Sequence, residues 1–150
     1  MSQSLANNLI HLVFSTKVRR PLLRDDERDG LHAYMGGVLK NHDCHSLEIN
    51  SVTDHAHALF VLSKNLALAK AIELVKGLSS AWLKDQGAWY SDFHWQTGYW
   101  AFSVSQTHVG PLRRYIRGQQ KHHEKISFQD EVRRLSQKNG IELDERYAWE

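Results

Sequence analysis

The chain has 150 residues, 41% of them hydrophobic and 24% charged, which is the composition of a folded domain and not of a disordered segment. It is long enough to bury a core as one domain over 1–150. No apolar run approaches the ~20 residues needed to span a bilayer. Residues Met1 to Leu5 lack the charged and apolar regions of a signal peptide. The single cysteine, Cys44, excludes an internal disulfide and suits a reducing cytoplasm.

Asn8 to Thr16 alternates Ile10, Leu12 and Phe14 against Leu9, His11 and Val13. A strand apolar on both faces belongs at the centre of a sheet. It runs into Lys17, Val18, Arg19, Arg20 and Pro21, a basic exit where proline ends regular pairing. Lys17, Arg19 and Arg20 are candidates for phosphate contact. Asp25 to Asn41 reads as a helix with acidic residues at its start and Leu31, Met35, Val38 and Leu39 at helical spacing. Gly36 and Gly37 either weaken it or admit a close neighbour. His42 to His45 has no second ligand pair at zinc spacing and reads as a turn.

Ser46 to Thr53 alternates as a strand. Asp54 joins it to His55-Ala56-His57-Ala58-Leu59-Phe60-Val61-Leu62. On a strand, His55 and His57 project from one face, and Ala56, Ala58, Phe60 and Leu62 from the other. Two imidazoles on a rigid strand make half of a metal site, although so short a motif also arises by chance. The histidine face continues in Leu59 and Val61, so some element must cover it.

Leu66 to Asp85 is a helix with Leu68, Ile72, Val75, Ser79 and Trp82 on one stripe. Lys76 lies off that stripe and is a candidate for tracking a phosphate backbone. The aromatic residues Trp89, Tyr90, Phe93 and Trp95 either stack bases or plug the core. Tyr99 to Ser105 alternates again as a fourth strand. Pro111 suits the first position of a further helix, with Gly110 as its cap, on which Tyr115 and Gln119 stand four apart on one face. Arg113, Arg114, Arg117 and Lys121 surround them in the chain's most basic patch, which points to a polyanion. Ser127 caps a last helix that ends at Gly140, with Asp130 and Glu131 in its first turn; Tyr147 and Trp149 of the tail are expected to dock.

The order strand, helix, strand, strand, helix, strand, then helices is that of an α+β, ferredoxin-like (RRM-like, split βαβ) plan. It is a four-stranded antiparallel sheet with helices on one face, leaving the C-terminal helices to cover the other. Two imidazoles and a carboxamide would leave open positions on a divalent ion, and such a centre beside arginines suits a phosphodiester. Tyr115 would then be placed to attack phosphorus, if a base removed its proton. Histidine-triad hydrolases need a third alternate histidine, where this chain has Leu59.

Several motifs together resemble the single-tyrosine HUH transposases of small insertion sequences, the IS200-like transposases that include REP-associated tyrosine transposases. They are HLVFSTKVRRPLL (residues 11–23), DHAHALF (54–60), ELVKGLSSAWL (73–83), HWQTGYWAFSVS (94–105), YIRGQ (115–119), SFQDEVRRL (127–135) and DERYAW (144–149). The resemblance implies that His55, His57 and Gln119 bind Mg²⁺ or Mn²⁺ and that Tyr115 is the nucleophile. It implies a cytoplasmic enzyme, associated with the nucleoid when on DNA, that cleaves single-stranded DNA beside a hairpin through a 5′-phosphotyrosine and rejoins it without ATP. It further implies a homodimer, in which the helix of one subunit could cover the histidine face of the other. The alternative within the same family is a domesticated protein that binds hairpin DNA and no longer cuts it. A purely structural ferredoxin-like module accounts least well for the arginines around Tyr115.

Overall fold

A computed structural model describes residues 2–150. Its strands are β1 (Asn8–Ser15), β2 (His45–Ser51), β3 (His55–Leu62) and β4 (Trp100–Val104), and its main helices are α1 (Asp25–Asn41) and α2 (Leu68–Asp85). The sheet order is β2-β3-β1-β4, with every pairing antiparallel. This is the expected split βαβ arrangement, with the doubly apolar strands β1 and β3 at its centre.

Strand periodicity sorts the core. Ile10, Leu12, Phe14, Ala56, Ala58 and Phe60 face α1 and α2, where they meet Leu31, Met35, Leu39, Ile72 and Val75. Tyr90, Phe93 and Trp95 are buried in the same cluster, so these aromatics plug the core. Trp89 stays half exposed, with its indole N–H donating to Leu22 O at 2.8 Å. Lys76 donates to the carbonyls of Gln96, Thr97 and Gly98 at 2.7, 3.3 and 2.7 Å. Its ammonium thus fastens the loop before β4, and burial lowers its pKa to about 8.

The opposite face is covered by α3 (Val109–Arg117), α4 (Gln119–His122) and α5 (Phe128–Lys138). Leu112 and Ile116 of α3 seal Leu59, so the cover for the histidine face comes from the same chain. Val13, Trp100 and Phe102 pack on Phe128 and Val132 of α5. Trp149 docks on Trp100 at 5.9 Å between ring centroids, whereas Tyr147 is 65% exposed, against expectation. The Arg146 guanidinium lies over the Tyr147 ring at 5.4 Å from its centroid.

Two local expectations change. Helix α3 starts at Val109, so Pro111 sits within the first turn, where its missing N–H has no partner to lose. The helix also stops at Gly118, and Tyr115 and Gln119 therefore belong to successive helices. Asn50 on β2 holds this break. Its Nδ2 donates to Ile116 O at 2.7 Å and Gln120 Oε1 at 3.1 Å, and Gln120 Nε2 donates back to Ser51 O at 2.9 Å.

The α1 glycines separate into two kinds. A methyl group on Gly37 would meet nothing within 4 Å, whereas one on Gly30 would lie 2.9 Å from Cη2 of Trp82, whose ring is stacked on Tyr34. Gly37→Ala should raise stability by about 0.5–1 kcal/mol through helix propensity. Gly30→Ala should lower it despite the same propensity gain. Thermal melts of the two variants check this, and a rise in both would contradict the packing described.

Candidate active site

The site starts from the alternation of β3. His55 and His57 point away from α1 and α2, into the layer closed by α3 to α5, and both are fully buried. A side chain holds each ring from behind. His55 Nδ1 lies 2.7 Å from Asp54 Oδ1, and His57 Nδ1 lies 2.8 Å from Nε2 of His11 on β1. Both Nε2 atoms are thereby turned toward one point, the arrangement seen when a second group fixes the ring of a metal-ligating histidine.

Glu131 occupies that point. Its Oε1 lies 3.2 Å from His55 Nε2, 2.9 Å from His57 Nε2 and 3.1 Å from His123 Nε2. Its Oε2 accepts from the Tyr115 hydroxyl and, at 3.0 Å, from Gln119 Nε2. Gln119 is fully buried, with Oε1 at 3.3 Å from His55 Nε2. The structure therefore brings all four predicted central residues, Tyr115, His55, His57 and Gln119, together within one chain. It adds Glu131, His123, His11 and Asp54, which the sequence reading did not assign.

Burial and charge work against each other here. Burial favours the neutral form of Glu131, but His57, His123 and His55 outweigh it and hold the carboxyl well below the usual carboxylate range. Burial pushes the Tyr115 phenol far up, and the negative Glu131 beside it adds to the rise. Resting Tyr115 is therefore protonated, with its hydroxyl donating to a carboxylate. Burial lowers His57 and His11. His55 is also desolvated, yet Asp54 and Glu131 raise it.

Two clefts meet at Tyr115 and His122. One encloses about 350 Å³ and is lined by His108, Arg134 and Lys138, with Glu131 at its inner end. The other encloses about 340 Å³ and is lined by Arg114, Lys121 and Lys125. Arg114 and Lys121 are exposed there. Arg117 pairs with Glu48, and Arg113 buries an Nε that has no hydrogen-bond partner. Ser15 pairs with His55, so the chain leaves the sheet beside the site into a turn over Lys17–Arg19. Lys17 and Arg20 line a third cleft with His94, and Arg20 pairs with Asp92 at 3.3 Å. Arg19 is half-buried, with an unpartnered Nε. Lys76 is not part of this group, because its donors are engaged by the loop before β4.

Imidazole, carboxylate and carboxamide are a donor set that fits a divalent metal ion. Four of them, His55, His57, His123 and Glu131, place one ligand atom each within 4.8 Å of all the others.

Because His11 and His57 are held below their ordinary value of 6.5, the unfolded chain takes up protons there that the folded one refuses. Their contribution to stability is present above that value and is lost as the pH falls from about 6.5 toward their folded pKa values. His11→Gln removes one of these groups and should flatten the loss of stability between about pH 6.5 and about pH 5, read by urea unfolding. An unchanged slope would contradict a neutral, buried His11.

Residues 4–119 match the family model described as "Transposase IS200 like". That span holds His55, His57, Tyr115 and Gln119 and ends before His123 and Glu131. No curated protein matches the chain. Among solved structures, a candidate transposase from Deinococcus radiodurans R1 superposes with a TM-score of 0.61 at 18% identity, covering 79% of this chain and 96% of that one. A REP-associated tyrosine transposase bound to a REP hairpin superposes with a TM-score of 0.61 at 13% identity, covering 84% of this chain and 76% of that one. At such identities the superpositions establish the fold, and the family match, spanning most of the sequence, establishes that this chain belongs to the IS200-like transposases.

Proposed function

We propose that this transposase cleaves and rejoins single-stranded DNA beside a hairpin, through a covalent 5′-phosphotyrosine on Tyr115. The observation that carries the reading is the meeting of the Tyr115 hydroxyl, the His55–His57 pair and Gln119 at one buried point, with basic clefts on either side. His55, His57 and Gln119 would hold a divalent ion, Mg²⁺ or Mn²⁺. When bound, the ion supplies positive charge that polarises a nonbridging phosphate oxygen and offsets charge on the leaving oxygen.

The chain's own groups account for the rest. Arg114 and Lys121 on one side of Tyr115, with Arg134 and Lys138 on the other, bind backbone phosphates and seat the scissile one over the phenol. Glu131 Oε2 accepts the hydrogen bond of the Tyr115 hydroxyl and orients it. The proton the phenol gives up as its oxygen bonds to phosphorus is balanced by the one the leaving oxygen gains. The P–O3′ bond breaks and the 3′-oxygen takes up a proton, leaving a 3′-OH. Rejoining runs the same bonds in reverse, so the phosphodiester energy is conserved and no nucleotide cofactor is needed. Hairpin DNA as substrate is supported by family membership and by the hairpin-bound neighbour of the same fold. A homodimer and a place in the cytoplasm, on the nucleoid when DNA is bound, remain part of this proposal. Among the described residues no helix is long and apolar enough to cross a membrane.

Incubation with hairpin-bearing single strands and Mn²⁺ should yield an adduct on a denaturing gel that is absent with Tyr115→Phe. An adduct that persists in that variant would overturn the nucleophile. Binding with no adduct from any of several hairpins would favour a domesticated DNA-binding protein. Arg114→Ala and Lys121→Ala should each weaken binding and make the plot of log affinity against log salt shallower by about 0.7 per lost contact. Salt slopes equal to that of the unaltered protein would remove these residues from the DNA path.

A further inference from the structure

Glu131 and His123 lie outside the span matched to the family, yet they sit at the centre of the site. Glu131 Oε1 faces three ring nitrogens at 2.9 to 3.2 Å. A carboxylate oxygen has about two lone-pair directions, one fewer than the nitrogens that face it. Gln119 Oε1, itself an acceptor, also points at His55 Nε2. Hydrogen bonds alone thus serve Oε1 poorly, whereas a cation would use its electron pairs together with those of the ring nitrogens that face it. The three distances from Glu131 Oε1 fit as well, since at the ~2.1 Å bonds of an octahedral divalent ion neighbouring ligands stand ~3 Å apart.

We infer that Glu131 and His123 are direct ligands alongside His55 and His57, and that the resulting centre selects a first-row transition ion such as Mn²⁺ over Mg²⁺. Three imidazoles favour a transition ion, while Mg²⁺ prefers oxygen ligands and gives up its waters reluctantly. The carboxylate supplies the only negative charge among these donors and offsets half the charge of the ion. With Gln119 there are five donors, which leaves one octahedral position for a phosphate oxygen. The inference rests on the metal-assisted reading above and assigns two ligands that reading does not include.

The test is binding of Mn²⁺ to the metal-stripped full chain, followed by the electron paramagnetic resonance signal of the free ion, with and without excess Mg²⁺. The unaltered protein should take up one Mn²⁺ per chain and keep it in ~100-fold excess Mg²⁺. Glu131→Gln and His123→Gln should each weaken binding ~10-fold or more. Because Glu131 is buried, its variant is first checked by thermal melt. His123, nearer the surface, carries the test if Glu131→Gln does not fold. Displacement of Mn²⁺ by equimolar Mg²⁺ would overturn the selectivity. Binding undiminished in the folded variants but lost in His57→Ala would overturn the two added ligands while leaving the histidine pair in place. No Mn²⁺ bound by the unaltered protein would overturn both this inference and the metal-assisted reading.

Discussion

Strands β1 and β3 are apolar on both faces, and neither face can be left to water. One is met by α1 and α2 and the other by α3 to α5. The second layer is the one that matters for chemistry, because the residues it must cover include His11, His55 and His57 as well as Leu59 and Val13. Leu112 and Ile116 seal Leu59, and Phe128 and Val132 seal Val13. The same layer carries Tyr115 on α3, Gln119 on α4, His123 just after α4 and Glu131 on α5. Packing that hides apolar surface therefore also assembles the site.

A cluster of this kind is costly in a plain core. A buried carboxylate needs compensating charge or hydrogen bonds, and breaking such a set typically costs ~3–5 kcal/mol. Glu131 finds its partners in histidines whose rings are fixed from behind by Asp54 and His11. The arrangement keeps Tyr115 protonated at rest while placing it between two basic clefts. A phosphate backbone and a divalent ion are the ligands that would satisfy the clefts and the cluster, respectively. Restraint of the nucleophile and readiness for an anionic substrate thus come from the same set of groups.

Much of this was legible in the chain because β3 and α1 follow simple periods. Alternation alone put His55 and His57 on one face and demanded a cover for Leu59, which Leu112 and Ile116 provide. The four-residue step from Tyr115 to Gln119 puts both side chains on one face, and although the helix breaks at Gly118 both still reach the same oxygen of Glu131. Lys76 illustrates the limit. Helical position marks it as off the buried stripe, but only the loop at 96–98 shows that its charge is already engaged. Glu131 illustrates another. Its place in the first turn reads as charge at a helix start, yet it stands on the stripe of Phe128, Val132 and Leu135, and a carboxylate on an apolar stripe is itself a signal of a buried polar site. His123, four residues after Gln119, carried the same kind of signal.

The central claim is that one chain carries the whole site. It is tested most directly by mixing Tyr115→Phe with His57→Ala and assaying the mixture for a covalent adduct on hairpin-bearing single-stranded DNA, beside the unaltered protein. If each chain uses its own tyrosine with its own histidines, every chain in the mixture lacks one essential group, and no adduct forms although the unaltered protein gives one. An adduct restored by mixing would mean that the tyrosine of one chain serves the histidines of another, contrary to the site seen within this chain.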